Sequence, residues 1–185
     1  MILRGAANTG RGRLGVAPLG AVPPPVLERV AAVARGALRF EPLPPLPPLD
    51  PAPFLDAARR QYRADLVLAR LKESAPPGGR ILAVAAVDLC LPVLTYVFGC
   101  AELRGAAAVV STHRLDPRFH GEPEDAGLLL ERLEKETLHE LGHLLGLVHC
   151  ADRSCLMASA HDVGEIDVEE PSFCADCRAK LRARA

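Results

Sequence analysis

The pattern of apolar and polar residues divides the chain into a strand-rich first part and a long helix. Short apolar runs bounded by turn residues indicate strands at 14–20, 38–40, 81–89, 94–101 and 106–111. From Glu124 onward, leucines recur every three or four residues, which predicts a long helix with a broad apolar stripe. Beyond that helix the chain shows little periodicity and is expected to be loop-like.

Two further helices and a stiff connection are predicted around the first strands. The prolines at 23–25 open a helical stretch with one apolar face. That face consists of Val26, Val30 and Val33. Residues 56–74 have an amphipathic helical pattern that ends at the sequence APPGG. The proline-rich residues 41–53 are predicted to form a loop, with a ligand for an SH3-type domain as the alternative.

Composition and charge limit the class of protein. With 185 residues, 49% of them apolar and 24% charged, the chain is expected to form one mixed α/β domain over residues 1–185. Residues 1–13 are expected to be irregular. A net charge of −1 gives no electrostatic reason for a nucleic acid or an anionic membrane as partner. No apolar run is long enough for a membrane span, so we expect a monomer in the cytoplasm, where cysteines stay reduced.

Three histidines and one glutamate are gathered in the sequence HELGHLLGLVHC, residues 139–150. On a helix, His139 and His143 lie one turn apart on the same face, so both imidazoles can bind one metal ion. Glu140 lies beside them, where a general base belongs. Gly146 can end the helix with a positive φ and return the chain, which brings His149 to the same metal. Three protein ligands with one open position are typical of catalytic zinc, and a zinc-bound water activated by Glu140 would hydrolyse peptide bonds.

Four cysteines follow at a spacing suited to a second metal site. We predict that they hold a structural zinc through tetrahedral thiolate coordination, with two disulfides or four buried thiols as the alternatives. The four are Cys150, Cys155, Cys174 and Cys177. Adjacent residues of an extended segment face opposite ways, so His149 and Cys150 can serve different ions. The sequence therefore predicts two Zn²⁺ per chain.

Met157 lies eight residues after His149 and is the only methionine besides Met1. A methionine on a turn after HExxHxxGxxH is the Met-turn of the metzincin peptidases. Together with the four cysteines, these motifs resemble the archaemetzincins, a metzincin group with cysteines around the Met-turn. The resemblance implies a metzincin-like domain: a twisted mixed sheet with flanking helices, an HExxH helix, and a Met-turn and structural-zinc region over residues 149–177. It also implies an edge strand that binds substrate, for which residues 106–111 are the expected candidate.

The predicted function is that of a zinc-dependent metallopeptidase acting on peptides or small proteins. The alternative is a catalytically silent, zinc-stabilised peptide-binding protein on the same scaffold. Internal cleavage and trimming from an end both stay open, and residues 1–13 or 41–53 are candidates to cover the cleft. His161 is a candidate for contacting the substrate oxyanion. Cys90 and Cys100 are predicted to be buried thiols. Four acidic residues near the C-terminus either hold a free substrate N-terminus or form a solvated loop. They are Glu165, Asp167, Glu169 and Glu170.

Overall fold

The computed structural model of the protein describes residues 11–183, which form nine β-strands and five α-helices. The strands are β1 (Arg13–Leu19), β2 (Glu41–Pro42), β3 (Leu55–Asp56), β4 (Gln61–Arg63), β5 (Gly79–Ala85), β6 (Leu89–Leu91), β7 (Leu94–Val97), β8 (Gly99–Ala101) and β9 (Ala107–Ser111). The helices are α1 (Pro24–Leu38), α2 (Ala64–Ser74), α3 (Ala126–Leu144), α4 (Val163–Val168) and α5 (Ala175–Arg182). Of the segment predicted to be irregular, residues 1–10 lie outside the described residues, 11–12 are irregular, and Arg13 already begins β1.

A five-stranded sheet, in the order β2-β1-β5-β9-β8, forms the centre of the fold. Strands β1, β5 and β9 are parallel, and β8 is antiparallel to β9. Successive strand residues point to opposite faces, so Leu82 and Val84 pack with α1 and α3 while Ile81 and Ala83 pack with α2. Because helices cover both faces, the central strands are almost continuously apolar.

A second sheet, in the order β3-β4-β6-β7, extends from this core. Its β6–β7 hairpin is fixed by Arg59, whose guanidinium donates to the carbonyl oxygens of Leu91 at 2.8 Å, Leu94 at 2.6 Å and Thr95 at 2.6 Å. The hairpin is thereby held in place although β6 has only three residues and β7 only four.

The structure corrects three predicted elements in the first half of the chain. The strand predicted at 81–89 is divided, because β5 ends at Ala85 and Leu89 begins β6 in the second sheet. Residues 56–74 are not one helix: α2 begins only at Ala64, because Tyr62 and Arg63 pair with β6 and Arg60 has a positive φ of 56°. The strand predicted at 38–40 is also wrong. Leu38 ends α1, Arg39 follows with a φ of 59°, and the strand lies two residues later in β2, which pairs with β1. The proline-rich residues 41–53 are otherwise largely irregular, as predicted.

The prediction that residues 106–111 form the sheet edge that binds substrate is also wrong. Strand β9 lies between β5 and β8, and all five of its residues are buried. The edge of the sheet on that side is β8, and the segment 94–101 is divided between β7 and β8 in different sheets. Small apolar residues favoured a strand but did not show on how many sides it would pair.

The C-terminal part is more regular than predicted. Instead of a loop-like segment, the chain forms α4 and α5 after α3. Asp162 is the N-cap residue of α4, and its carboxylate accepts a hydrogen bond from the backbone N–H of Glu165 at 3.0 Å. Among residues 11–183, no helix has the length and apolar character needed to cross a membrane.

Candidate active site

Helix α3 and the turn after it bring three imidazoles together. The ring centroids of His139, His143 and His149 are 4.7 to 5.3 Å apart. One nitrogen of each ring lies within 4.8 Å of the others. Gly146 makes this possible, because it follows α3 with a φ of 88° and returns the chain toward the helix. The predicted turn is therefore present.

The hydrogen bonds of His139 and His143 leave one nitrogen of each ring available as a metal ligand. His139 Nδ1 donates to the carbonyl of Leu156 at 2.7 Å, and His143 Nδ1 donates to the carbonyl of Leu147 at 2.9 Å. A neutral imidazole with its proton on Nδ1 leaves Nε2 as an acceptor. The two Nε2 atoms face each other at 3.0 Å, where two lone pairs repel unless a cation binds both. Burial lowers the pKa of His139 to about 3, which keeps the ring neutral as a ligand.

Glu140 places its carboxyl group next to these rings, at the surface of the same cleft. Only 4% of the residue is exposed, and its Oε2 has no hydrogen-bond partner among the described residues. Burial, together with the carboxylate of Glu136, raises the pKa of Glu140 well above its usual value. Gly99 of β8 packs directly against this carboxyl group: a Cβ at that position would lie 2.6 Å from Oε1.

Met157 is fully buried and packs against Gly142 of α3. A Cβ on Gly142 would lie only 2.5 Å from the Met157 sulfur, so any larger residue there would force the Met157 side chain to move. The carbonyl of Met157 accepts a hydrogen bond from the backbone N–H of Cys150 at 2.7 Å. The turn at Met157 and the segment that follows His149 therefore form one unit.

The four cysteines predicted to share a metal form a second cluster. The sulfur atoms of Cys150, Cys155, Cys174 and Cys177 all lie within 4.8 Å of one another, and none of the four is in a disulfide. The Cys155 sulfur accepts hydrogen bonds from the backbone N–H of Cys174 at 3.3 Å and of Met157 at 3.5 Å. Such donors stabilise a thiolate. Four sulfur donors in a compact group are the ligand set of a closed structural zinc site.

The histidine site opens into a cleft of about 670 Å³. Its walls are the β6–β7 hairpin, the edge strand β8, helix α3 and the segment after Met157. No residue of the proline-rich segment 41–53 lines the cleft, so within the described part of the chain that segment does not cover it. The hydroxyl of Tyr96 donates to the carbonyl of His161 and joins the hairpin to the segment after Met157.

Several predicted residues have different surroundings from those expected. His161 lines the cleft, but its ring is exposed and hydrogen-bonds Glu165 Oε2 at 3.1 Å. Cys90 is buried as predicted, whereas Cys100 is half-buried and lines the cleft. Asp167 binds Arg132 of α3, and Glu169 is buried rather than part of a solvated loop.

The cleft also contains residues that the sequence did not mark as functional, among them Gly99, Tyr96 and Glu136. Gly99 and Tyr96 carry no motif that marks them before the strand order is known. Glu136 could have been found, because it lies one helical turn before Glu140 and therefore on the same face of α3.

The site combines two histidines and a glutamate on α3, a third histidine after a tight turn, and a cleft beside a sheet edge. This is the arrangement of a zinc-dependent peptidase. Residues 54–183 match Peptidase family M54, and the chain belongs to that family. The archaemetzincin of Thermococcus kodakarensis is 39% identical over 125 residues, which cover 66% of this chain and 67% of that protein. The predicted resemblance to the archaemetzincins is thus confirmed.

Solved structures agree with this assignment and with the predicted mixed α/β fold. The crystal structure of the archaemetzincin from Methanopyrus kandleri superposes with a TM-score of 0.83 at 30% identity and covers 97% of both chains. A zinc-dependent peptidase from Methanocorpusculum labreanum gives a TM-score of 0.76 at 30% identity, covering 91% of this chain and 99% of that one. The comparisons give no support to the alternative of a catalytically silent binding protein.

Proposed function

We propose that the cleft hydrolyses peptide bonds with a zinc ion held by His139, His143 and His149, and that Glu140 is the general base. The observation that carries this proposal is the meeting, in a single cleft, of three imidazoles and one buried carboxyl group that has no partner among residues 11–183. Three protein ligands leave a position open for water and substrate.

The chemistry divides between the ion and the protein. When bound, zinc lowers the pKa of a coordinated water toward 7 and stabilises negative charge on the substrate carbonyl. Glu140 removes the proton from the attacking water and delivers it to the leaving amine. Its carboxyl group lies in the wall of the same cleft as the three imidazoles, where it can reach a water bound at the open position. The carbonyls of Leu156 and Leu147 fix the orientation of His139 and His143.

We further propose that Cys150, Cys155, Cys174 and Cys177 hold a second, structural zinc. Their sulfur atoms are mutually close and are not in disulfides. Met157, together with the cysteines around it, makes this region the Met-turn of a metzincin scaffold. Reduced thiolates are typical of the cytoplasm, where we place the protein as a monomer.

The substrate backbone is proposed to bind along β8, the sheet edge that lines the cleft. An extended peptide can add to such an edge through main-chain hydrogen bonds. This assigns to Gly99–Ala101 the role first expected for residues 106–111. Exposed apolar side chains at the rim, Leu94, Leu103 and Val148, offer contacts to substrate side chains.

The test compares two substitutions in the zinc-loaded protein. Glu140→Ala is expected to retain zinc at the histidines and to lower peptide hydrolysis by roughly 100-fold or more, the usual scale for a lost general base. His143→Ala is expected to lose both that zinc and activity. Metal content and cleavage of a peptide library are measured on the same samples, and unchanged turnover in Glu140→Ala would remove Glu140 from the mechanism.

A further inference from the structure

Glu136 is a second buried acid in the cleft, one helical turn before Glu140. It lines the cleft wall, and only 5% of the residue is exposed. Within residues 11–183 its side chain has neither a hydrogen bond nor an ion pair, and its carboxyl oxygens are not among the fully buried atoms that lack a partner, so they face the cleft. Polar groups in such largely buried positions usually have a partner in native proteins, and a group of the bound substrate can supply one here.

Among residues 11–183, the charged groups around Glu136 offer it no partner. The nearby titratable groups are the carboxyl groups of Glu140 and Glu169, both of them buried. Lys135 instead donates to the carbonyl of Ile166 at 3.0 Å and pairs with Glu131, and Arg132 pairs with Asp167. The residues that line the cleft include no lysine or arginine. The cleft wall formed by Glu136 and Glu140 is therefore acidic beyond what the general base requires.

A cation from a bound peptide would complete this arrangement. Hydrogen bonds between an ammonium or guanidinium group and a carboxylate are among the strongest in proteins. Burial raises the pKa of Glu136 to about 8, and an approaching cation would favour its ionised form. Glu136 and Glu140 are four residues apart on a helix and are therefore separated by about 6 Å along its axis. Two residues of an extended peptide span about the same length, so a cation at Glu136 would lie within two residues of the bond next to Glu140.

We propose that Glu136 is a specificity-determining residue that selects peptides with a positive charge within two residues of the scissile bond. The inference rests on the proposed peptidase function. The cation has two sources with the same chemistry: the free α-amino group of a peptide trimmed from its end, or the side chain of a lysine or arginine. The exposed apolar side chains of Leu94, Leu103 and Val148 would contact the aliphatic part of such a substrate.

The test uses the zinc-loaded full chain and matched pairs of peptides. One arm compares free with acetylated N-termini, and the other compares lysine with norleucine at each of the two positions on either side of the cleaved bond. In the wild type, at least one cationic peptide is expected to have a kcat/KM about tenfold or more above its neutral counterpart. The arm that shows this preference identifies the source of the cation.

Glu136→Gln keeps the shape of the side chain and removes its charge, so the preference is expected to disappear. The ratio of charged to neutral substrate cancels any general effect of the substitution on Glu140. Glu28→Gln, an exposed acid on α1, changes the net charge equally and is expected to retain the preference. Equal rates on both members of every pair in the wild type, or a preference that survives in Glu136→Gln, would overturn the proposal.

Equilibrium binding of the same peptides, measured by calorimetry, separates the subsite from the reaction. If no peptide is cleaved but cationic peptides bind more tightly to the wild type than to Glu136→Gln, the subsite is supported and the proposed hydrolysis fails. If peptides are cleaved and binding shows no dependence on charge, the subsite is wrong and the peptidase function stands.

Discussion

Gly99 is the residue at which the edge strand touches the general base. A methyl group there would lie 2.6 Å from Glu140 Oε1 and 2.7 Å from its Cγ, closer than real contacts allow. Gly99→Ala is therefore expected to displace the carboxyl group and to lower kcat by roughly tenfold or more, since catalysis depends on the position of the base. The zinc content is expected to stay unchanged, because the three atoms nearest to that methyl group all belong to Glu140.

Gly36→Ala supplies the control for that prediction. Gly36 lies in α1, and a Cβ there would meet nothing within 4 Å. This substitution is expected to leave activity unchanged and to stabilise the protein by roughly 0.5 to 1 kcal/mol, the difference between glycine and alanine in a helix. Full activity in Gly99→Ala would show that the carboxyl group can move without loss of function.

At the scale of single residues, the sequence predicted which side chains would meet but not what surrounds them. The helical period and Gly146 were sufficient to place His139, His143 and His149 together. The contact between Gly99 and Glu140 depends on the order of strands in the sheet, which no local pattern records. The prediction that Cys100 is a buried thiol failed for the same reason, because a strand at a sheet edge exposes one side to the cleft.

At the scale of elements, the segment 149–157 links the two clusters of metal-binding residues. His149 and Cys150 are adjacent in the chain, and the backbone N–H of Cys150 donates a hydrogen bond to the carbonyl of Met157. The carbonyl of Leu156 accepts a hydrogen bond from His139 Nδ1. Apparent free energies of about 10 kcal/mol or more for structural zinc exceed the stability of most small domains. Loss of the cysteine-bound ion would therefore disorder this segment as a whole.

Cys174→Ser tests this coupling, because it changes a cysteine that contacts none of the catalytic side chains. We expect it to lower zinc occupancy at the histidines and activity together. Cys90→Ser is the control, since Cys90 is buried outside the cluster and outside the cleft. It is expected to cost a modest amount of stability and to leave both readouts unchanged. Zinc content and peptide cleavage are measured for both variants. Full activity in Cys174→Ser with the second zinc gone would mean that the catalytic site does not depend on the cysteine-bound ion.

The elements that were predicted correctly are those whose own sequence determines them. Helix α3 has a sustained apolar period, and β5 has a continuous apolar run that a doubly covered strand needs. The errors occur where pairing overrides local preference. Tyr62 and Arg63 continue a helical pattern but pair with β6, and residues 41–42 contain a proline yet pair with β1.

At the scale of the whole molecule, buried acids make stability depend on pH. Burial raises the pKa of Glu169 to about 7, although Lys135 opposes the shift. Between about pH 4.5 and 7 the folded state therefore binds more protons at this group than the unfolded state does, so stability falls as the pH rises through that window. Above pH 7 the group is ionised in both states and its unfavourable contribution is constant.

Glu169→Gln removes this dependence. The free energy of unfolding is measured in urea at pH 5 and at pH 7.5 for both proteins. Its decrease between the two pH values is expected to be smaller in the variant than in the wild type, and the two decreases should differ by on the order of 2 kcal/mol. The difference between the two proteins cancels the titration of the metal ligands, which they share. Glu170→Gln, an exposed neighbour, is expected to reproduce the wild-type decrease. An unchanged slope in Glu169→Gln would show that Glu169 ionises normally in the folded protein.

We propose that the chain carries two zinc sites of different kinds, one open and catalytic and one closed and structural. The number of zinc ions per chain, measured by elemental analysis after purification under reducing, chelator-free conditions, tests this directly. We expect two, falling to one as the pH drops through about 6, because histidine ligands are protonated before a tight thiolate site is lost. A ratio near one in the wild type at neutral pH would contradict it.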